Sequence, residues 1–323
     1  MAATVFIDGE SGTTGLQIRE RLAGRNDLVL ASIDSARRKD PVARAEIMND
    51  VDAVILCLPD DAAREAVGLV TNNRTRIIDA STAHRTAQGW TYGFPEMDAR
   101  QRAAIAAAGR VTNPGCYATG AIALLRPIVA RGLLPAGWPV TINAVSGYSG
   151  GGKPLIAAFE DPDSPNATGD NFRLYAMGVV QKHIDEMQVY STLEHRPLFI
   201  PGVGRFAQGM LVSVPLQLWA ISGRPTLKSL HAALADAYAG EHFIDVVPLD
   251  ESLAIGLASS LDPRNPEPES LNGTNRMTLA VYGNEKHEQA VLVAKLDNLG
   301  KGASGQAVQN LNLMFGIEET TGL

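Results

Sequence analysis

Short apolar runs and amphipathic stretches alternate along the first third of the chain. Thr4-Val5-Phe6-Ile7 is apolar and β-branched and stops at Asp8, the pattern of a buried strand. Gly9-Glu10-Ser11-Gly12-Thr13-Thr14-Gly15 follows at once, and Leu16 to Leu22 then reads as a helix that ends near Gly24. Asp27 to Ile33, Val51 to Leu58 and Arg76 to Asp79 are three further strand candidates, with helical patterns such as Asp61 to Thr71 between them. Strand–helix alternation with connections this short predicts a parallel, doubly wound sheet. Further on, the alternating runs Gly209 to Leu216 and Met277 to Tyr282 predict strands of a mostly antiparallel or mixed sheet. Ala307 to Met314 reads as a helix after a glycine-rich entry. Asp161 to Asn166 and the proline-rich Asp262 to Glu269 read as surface loops.

Composition narrows the classes. With 323 residues the chain has room for two domains at roughly 100–200 residues each. Hydrophobic residues at 45% and charged residues at 20% rule out disorder as the main state. The net charge of −7 leaves no basic footprint for nucleic acid, since Arg37-Arg38-Lys39 is the one basic run. No apolar stretch approaches the ~18 residues of a membrane span. The start, Met-Ala-Ala-Thr-Val-Phe-Ile, lacks the positive region of a signal peptide. Two cysteines make no disulfide scaffold and suit a reducing compartment. The expectation is a cytoplasmic protein acting on a small molecule, with no nucleic-acid or membrane partner and no metal.

The segment 9–15 stands where a phosphate loop belongs. Small residues there let the backbone approach a pyrophosphate, and the helix start supplies N–H donors and positive dipole. The spacing is G-x-x-G-x-x-G, which is a weak signal without its strand–turn–helix context. Gly9, Ser11, Gly12, Thr13, Thr14 and Gly15 are the candidate cofactor contacts. An acidic residue after the second strand suits NAD, whereas arginine accommodates the extra phosphate of NADP. Here Ser35, Arg37, Arg38 and Lys39 follow one Asp34, which reads as NADP; the alternative is a solvated basic turn.

Cys57 closes an apolar strand and reads as a small core residue. Cys116 differs, because Asn113-Pro114-Gly115 is a turn signal between Val111-Thr112 and a helical pattern reaching Arg126-Pro127. That places Cys116 in a first helical turn, where the dipole favours a thiolate nucleophile. The alternative is a thiol packed beneath the helix. A thiolate enzyme also needs a proton donor and acceptor. Of six histidines, His231, His242 and His287 look like surface or packing residues, and His84 lies just past a strand end. His183, ahead of Asp185-Glu186 in a helix start, and His195, in a charged turn, stand level on chemistry alone.

The chain resembles the N-acetyl-gamma-glutamyl-phosphate reductase family, in its shorter sequence type. The resemblance is carried by 9–15, Asp79-Ala80-Ser81-Thr82-Ala83-His84-Arg85 and Asn113-Pro114-Gly115-Cys116-Tyr117-Ala118-Thr119. It continues through Gly147 to Lys153, Lys182-His183-Ile184-Asp185-Glu186-Met187, Leu271 to Asn275 and Asn298 to Asn310, so it covers nearly the whole chain. One departure is Asp185, where the family commonly has proline after His-Ile.

The resemblance implies an α/β fold: an NADP-binding Rossmann domain over 1–116 and 298–323, and an α+β substrate and oligomerisation domain over 117–297. It implies a homo-oligomer, dimer or tetramer. It assigns Cys116 as nucleophile and His183 as acid/base, and leaves His195 structural. Cys116 would attack an acyl phosphate and form a thioester, which hydride from NADPH would reduce to the aldehyde. The Cys116 N–H and the Asn113 side chain are candidate oxyanion donors. Arg85 and Lys153 are candidates for the substrate's anionic groups, with a domain-edge ion pair and a solvated loop lysine as their ordinary alternatives. Ser149, Gly150 and Asn298 are expected at the nicotinamide end. The nearest competing reading is an aspartate-semialdehyde dehydrogenase-like acyl-phosphate reductase. A cofactor-free cysteine hydrolase and a non-catalytic NADP-binding regulator fit the glycine loop and the Cys–His set less well.

Overall fold

Six short strands in the first third of the chain all run parallel. They are β1 (Ala3–Asp8), β2 (Leu28–Ala31), β3 (Ala53–Leu56), β4 (Arg76–Asp79), β5 (Thr91–Tyr92) and β6 (Arg110–Thr112). Their order across the sheet is β2-β1-β3-β4-β6-β5. The connecting helices are α1 (Thr13–Leu22), α2 (Pro41–Asp50), α3 (Asp60–Leu69) and α4 (Gln101–Ala107). The structure is a computed structural model that describes residues 2–34, 36–38 and 40–323. A parallel sheet has to be covered on both faces, and successive side chains divide accordingly. Val5, Ile7, Ile55 and Ile78 pack with Ile18 and Leu22 of α1 and Ile105 of α4. Phe6, Val54, Leu56 and Ile77 pack with Met48 of α2 and Ala63 and Ala66 of α3.

The second sheet is mixed. It is made by β7 (Thr141–Gly147), β8 (Phe172–Leu174), β9 (Leu198–Gly204), β10 (Met210–Gln217), β11 (Ile244–Val246), β12 (Met277–Asn284) and β13 (Gln289–Leu296). The order is β11-β12-β13-β10-β7-β9-β8, parallel only at β11·β12 and β7·β9. Its helices are α5 (Cys116–Ala130), α6 (Gly152–Glu160), α7 (Ile184–Tyr190), α8 (Leu227–Ala237) and α9 (Leu249–Gly256). Along β10 the burial alternates: Met210, Val212, Val214 and Leu216 are covered, while Pro215 and Gln217 are exposed. α5 lies on the covered face. Gly120 brings it close, since a Cβ there would stand 2.9 Å from Val212.

The sequence suggests that α5 stops near Pro127, yet the helix runs to Ala130. Proline has no N–H and leaves the carbonyl four residues back without a helical partner. That carbonyl belongs to Ala123, and the buried Tyr238 hydroxyl donates to it at 2.9 Å. A side chain distant in sequence therefore repairs the helix.

After β13 the chain passes through residues 297–304 into α10 (Gly305–Phe315), whose Ala307, Val308, Leu311 and Met314 complete the first core. The chain thus divides into two compact units, Met1–Gly115 with Ala303–Leu323, and Cys116–Gly302. The reading from the sequence puts 1–116 with 298–323 in one domain and 117–297 in the other. Cys116 opens the helix laid on the second sheet, and Asn298 bonds within that unit, so both belong to it.

Tyr238→Phe should leave the Ala123 carbonyl buried and unpaired, at a cost of about 1–3 kcal/mol. Urea unfolding of the two proteins measures this, and an unchanged midpoint would remove the repair role.

Candidate active site

The glycine loop follows β1 at the point where strand order reverses, between β1 and β3. Ligands of open α/β sheets collect at such a point. Gly9 has φ +88°, and a Cβ on it would stand 2.3 Å from the Cys57 carbonyl oxygen. A Cβ on Gly15 would stand 2.5 Å from the Gly9 oxygen. Only glycine lets the loop fold this tightly onto the sheet edge. Gly12 caps α1 without any side-chain hydrogen bond, so the first N–H groups of the helix are not claimed by a cap. Ser11 is exposed, and Gly12, Thr13 and Thr14 are half-buried. A cradle that admits no Cβ, ending in an uncapped helix start, fits a dinucleotide pyrophosphate.

Past β2, Asp34 accepts the Ala36 N–H, which forms the turn carrying Arg37 and Arg38. Both arginines are exposed, and Arg37 pairs with Asp40 at 3.0 Å. An ion pair on open surface holds little energy, about 0–1 kcal/mol, and yields readily to a better anion. Ser35 and Lys39 lie outside the described residues.

Cys116 occupies the first position of α5 and is half-buried. Gly302 lies against it, where a Cβ would approach the Cys116 Cβ to 2.7 Å. His183, immediately before α7, is buried, and its Nδ1 lies 2.7 Å from Oε1 of the buried Glu186. That contact commits Nδ1 to the carboxylate. The ring meets Tyr117 edge to face, with centroids 5.5 Å apart. Tyr117 donates its hydroxyl to the Gly202 carbonyl and receives one from Tyr175 at 3.0 Å. Burial, then the neighbouring Tyr175 and Cys116, push the Tyr117 hydroxyl far up, and burial and Cys116 raise Tyr175. Both phenols therefore stay neutral hydrogen-bonding groups. Gln181 accepts the His183 backbone N–H at 2.6 Å.

Glu186, Tyr117, Tyr175 and Gln181 are the residues sequence reasoning passed over. The signal for Glu186 was its spacing: three residues after His183 it shares the histidine's helix face. Asp185, one residue earlier, points away into an exposed ion pair with Arg196.

The other expected residues divide by unit. Asn298 Nδ2 donates to Ser149 Oγ at 3.0 Å, and its Oδ1 accepts the Gly209 N–H at 2.7 Å. A Cβ on Gly150 would come within 3.3 Å of the same amide. Ser149, Gly150 and Asn298 thus form one cluster. In the first unit, Asn113 is buried, donates to Ala303 O at 2.9 Å and accepts from Asn310 at 3.1 Å. Arg85 is also buried, with Nε on the Asn113 carbonyl at 3.2 Å. Lys153 is exposed in the first turn of α6, and His195 is exposed. Among the described residues no cluster of His, Cys, Asp and Glu is placed to hold a metal, and no helix is long and apolar enough to cross a membrane.

Two family models match the chain. The semialdehyde dehydrogenase NAD binding domain covers residues 4–106, and the semialdehyde dehydrogenase dimerisation domain covers 116–298. An N-acetyl-gamma-glutamyl-phosphate reductase of Brucella suis is 54% identical over 98% of this chain and all of its own length. One from Nostoc, called N-acetyl-gamma-glutamyl-phosphate reductase 2, is 52% identical over 99% of this chain and 98% of its own. This chain belongs to the N-acetyl-gamma-glutamyl-phosphate reductase family. Solved structures share the fold at low identity. Aspartate semialdehyde dehydrogenase from Francisella tularensis has a TM-score of 0.73 at 12% identity, covering 98% of this chain and 100% of that one. Aspartate semialdehyde dehydrogenase II of Vibrio cholerae, complexed with ASA, has 0.69 at 16%, covering 98% and 99%.

The two thiols of this family member differ in kind. Burial, with the Asp79 and Asp8 carboxylates nearby, pushes the Cys57 thiol up to about 12. It stays protonated and unreactive across the physiological range. Iodoacetamide at pH 8 should therefore label the native protein at Cys116 alone, and at both thiols in urea. Peptide mapping checks this, and native labelling of Cys57 would refute it.

Proposed function

We propose that the chain reduces N-acetyl-gamma-glutamyl phosphate to N-acetylglutamate 5-semialdehyde with release of phosphate, an NADPH-dependent step of arginine biosynthesis. The observation that carries the reading is the buried Glu186–His183 pair edge to face with Tyr117, the residue next to Cys116 at the head of α5. It stands in a chain whose family acts on this acyl phosphate by name.

The Cys116 Sγ attacks the acyl carbon, the bond from that carbon to the phosphate oxygen breaks, and a thioester remains on the protein. The start of α5 favours the thiolate through its dipole, and the N–H groups of Cys116 and Tyr117 would stabilise an oxyanion. With one Asn113 N–H and its carbonyl already bonded, the backbone supplies the main donors and Asn113 a secondary one. NADPH, when bound, would supply a hydride, and the thioester carbon on Cys116 would accept it. The Cys116 sulfur then leaves as thiolate when the carbon–sulfur bond breaks. His183 exchanges the proton at Nε2, and Glu186 fixes its tautomer and supports the imidazolium.

Gly9, Ser11, Gly12, Thr13, Thr14 and Gly15 would hold the pyrophosphate, and Arg37 and Arg38 the 2′-phosphate, with Ser35 beside them in sequence. Ser149, Gly150 and Asn298 are assigned to the nicotinamide end. Arg85 and Lys153 are assigned to the substrate anions. The domain division, with 1–116 and 298–323 serving NADP and 117–297 serving substrate and assembly, follows the same reading.

The open face of the second sheet supports a homo-oligomer. Val145, Leu211, Val293, Ile200, Phe172 and Leu174 line a hollow of about 480 Å³ there. Phe172 and Leu174 are about half exposed, at 55% and 48%. Isolated soluble chains rarely leave an apolar sheet face of this kind uncovered. Leu211→Asp should therefore convert the oligomer to monomer in sedimentation velocity. A wild-type monomer, or a variant of unchanged mass, would remove this interface.

The activity is tested in reverse, with N-acetylglutamate semialdehyde, phosphate and NADP⁺, and aspartate semialdehyde in parallel. Reduction of NADP⁺ with the acetylated aldehyde alone is the expected result. Activity only with aspartate semialdehyde would move the substrate, and silence with both would refute the proposal. In the same assay, Arg37→Ala with Arg38→Ala should raise KM for NADP⁺ more than for NAD⁺. An equal rise would remove the 2′-phosphate role.

A further inference from the structure

A second carboxylate–imidazole pair lies in the first unit, and the proposed reaction makes no use of it. Asp79 closes β4 and is fully buried. Its Oδ1 accepts the Ser81 N–H and its Oδ2 the Ser81 hydroxyl, both at 2.9 Å. Oδ2 also lies 2.6 Å from Nδ1 of His84. The other side of the imidazole stacks on Trp90, with centroids 4.2 Å apart and planes at 17°. The turn is fixed at further points. Thr82 N–H bonds Asp60 at 2.9 Å, Arg64 donates to Ala83 O at 2.9 Å, and Ala87 N–H bonds His84 O at 3.1 Å.

The bonds close into a circuit. The Asp79 carbonyl accepts the Asn113 N–H at 2.7 Å. The Asn113 carbonyl accepts Arg85 Nε at 3.2 Å. Arg85 is bonded in sequence to His84, and His84 returns to the Asp79 carboxylate. A turn that needed only stability would be complete with the Asp79–Ser81 bonds, since Asp followed by Ser two residues on is a local turn of its own. Burying a carboxylate for stability alone is poorly repaid. What the imidazole adds is a rigid attachment one residue before Arg85, at the carboxyl end of a parallel strand where ligands gather.

We infer that His84 is a positioning residue for Arg85: clamped between the Asp79 carboxylate and the Trp90 ring, it fixes the turn that aims the guanidinium at an anionic group of the substrate. The inference rests on the reading that Arg85 grips such a group. The circuit supplies orientation, which separates it from a binding contact. His84 touches no reacting atom and acts through its neighbour.

The test uses full-length variants in the reverse assay, with KM measured separately for phosphate and for aldehyde. His84→Phe keeps a ring to stack on Trp90 and loses the donor to Asp79. It should raise KM for one of the two substrates about tenfold, the size of one lost charge-assisted bond. It should leave kcat within about threefold and NADP⁺ binding and melting temperature near wild type. His84→Asn places an amide N–H where Nδ1 was, and should restore most of that KM. Asp79→Asn, which keeps the shape and weakens the acceptor, should move KM in the same direction and serves if His84→Phe does not fold. A wild-type KM in His84→Phe, or a joint loss of kcat and KM that His84→Asn does not rescue, overturns the inference. Arg85→Ala is run alongside. If its KM values are unchanged, the Arg85 reading falls and takes the inference with it. If they rise while those of His84→Phe do not, only the inference falls.

Discussion

A carboxylate taken out of water has to be given partners, and the turns that matter in this protein are built around that demand. Asp8, at the end of β1, is buried against Arg44 at 2.7 Å, and burial raises its carboxyl even against that guanidinium. Asp79 gathers Ser81 and His84. Glu186 holds His183. Asp297 takes the N–H groups of Gly273 and Leu299, at 2.8 and 2.9 Å, in the turn beside Asn298. Each carboxylate lies within six residues of a position assigned to cofactor, substrate or proton transfer. Electrostatic need and geometric precision coincide because an unpaired buried charge costs far more than a loose turn.

The fold was legible where local chemistry decides it. The β-branched runs, the glycine segment at 9–15 and the Asn-Pro-Gly stop before Cys116 all act within a few residues, so a linear reading finds them. α5 was misjudged at Pro127, because the group that rescues the helix, Tyr238, comes from just past the end of α8. No periodicity carries that contact.

The site was legible to a similar depth. Cys116 could be singled out by its helix start, whereas His183 stood level with His195 until the resemblance was drawn, and its carboxylate partner Glu186 was passed over because that contact depends on the helix phase. Tyr175 lies in a loop and reaches Tyr117 through tertiary placement alone. Ser149, Gly150 and Asn298 gather as a cluster, while Lys153 stands exposed. Arg37 and Arg38 remain a surface turn whose charge pattern was readable and whose ion pair with Asp40 was not.

The return of α10 to the first unit has a consequence for how the chain is made. The ribosome delivers β1 to β6 early, yet Ala307, Val308, Leu311 and Met314 are needed to cover one face of their sheet. Until the whole of the second unit has emerged, that face is covered by α1 and α4 alone. The second unit is continuous and can close as soon as β13 appears. Order of synthesis and order of completion are therefore inverted: the part translated first is the last to be finished, and its half-covered sheet is the species most in need of a chaperone.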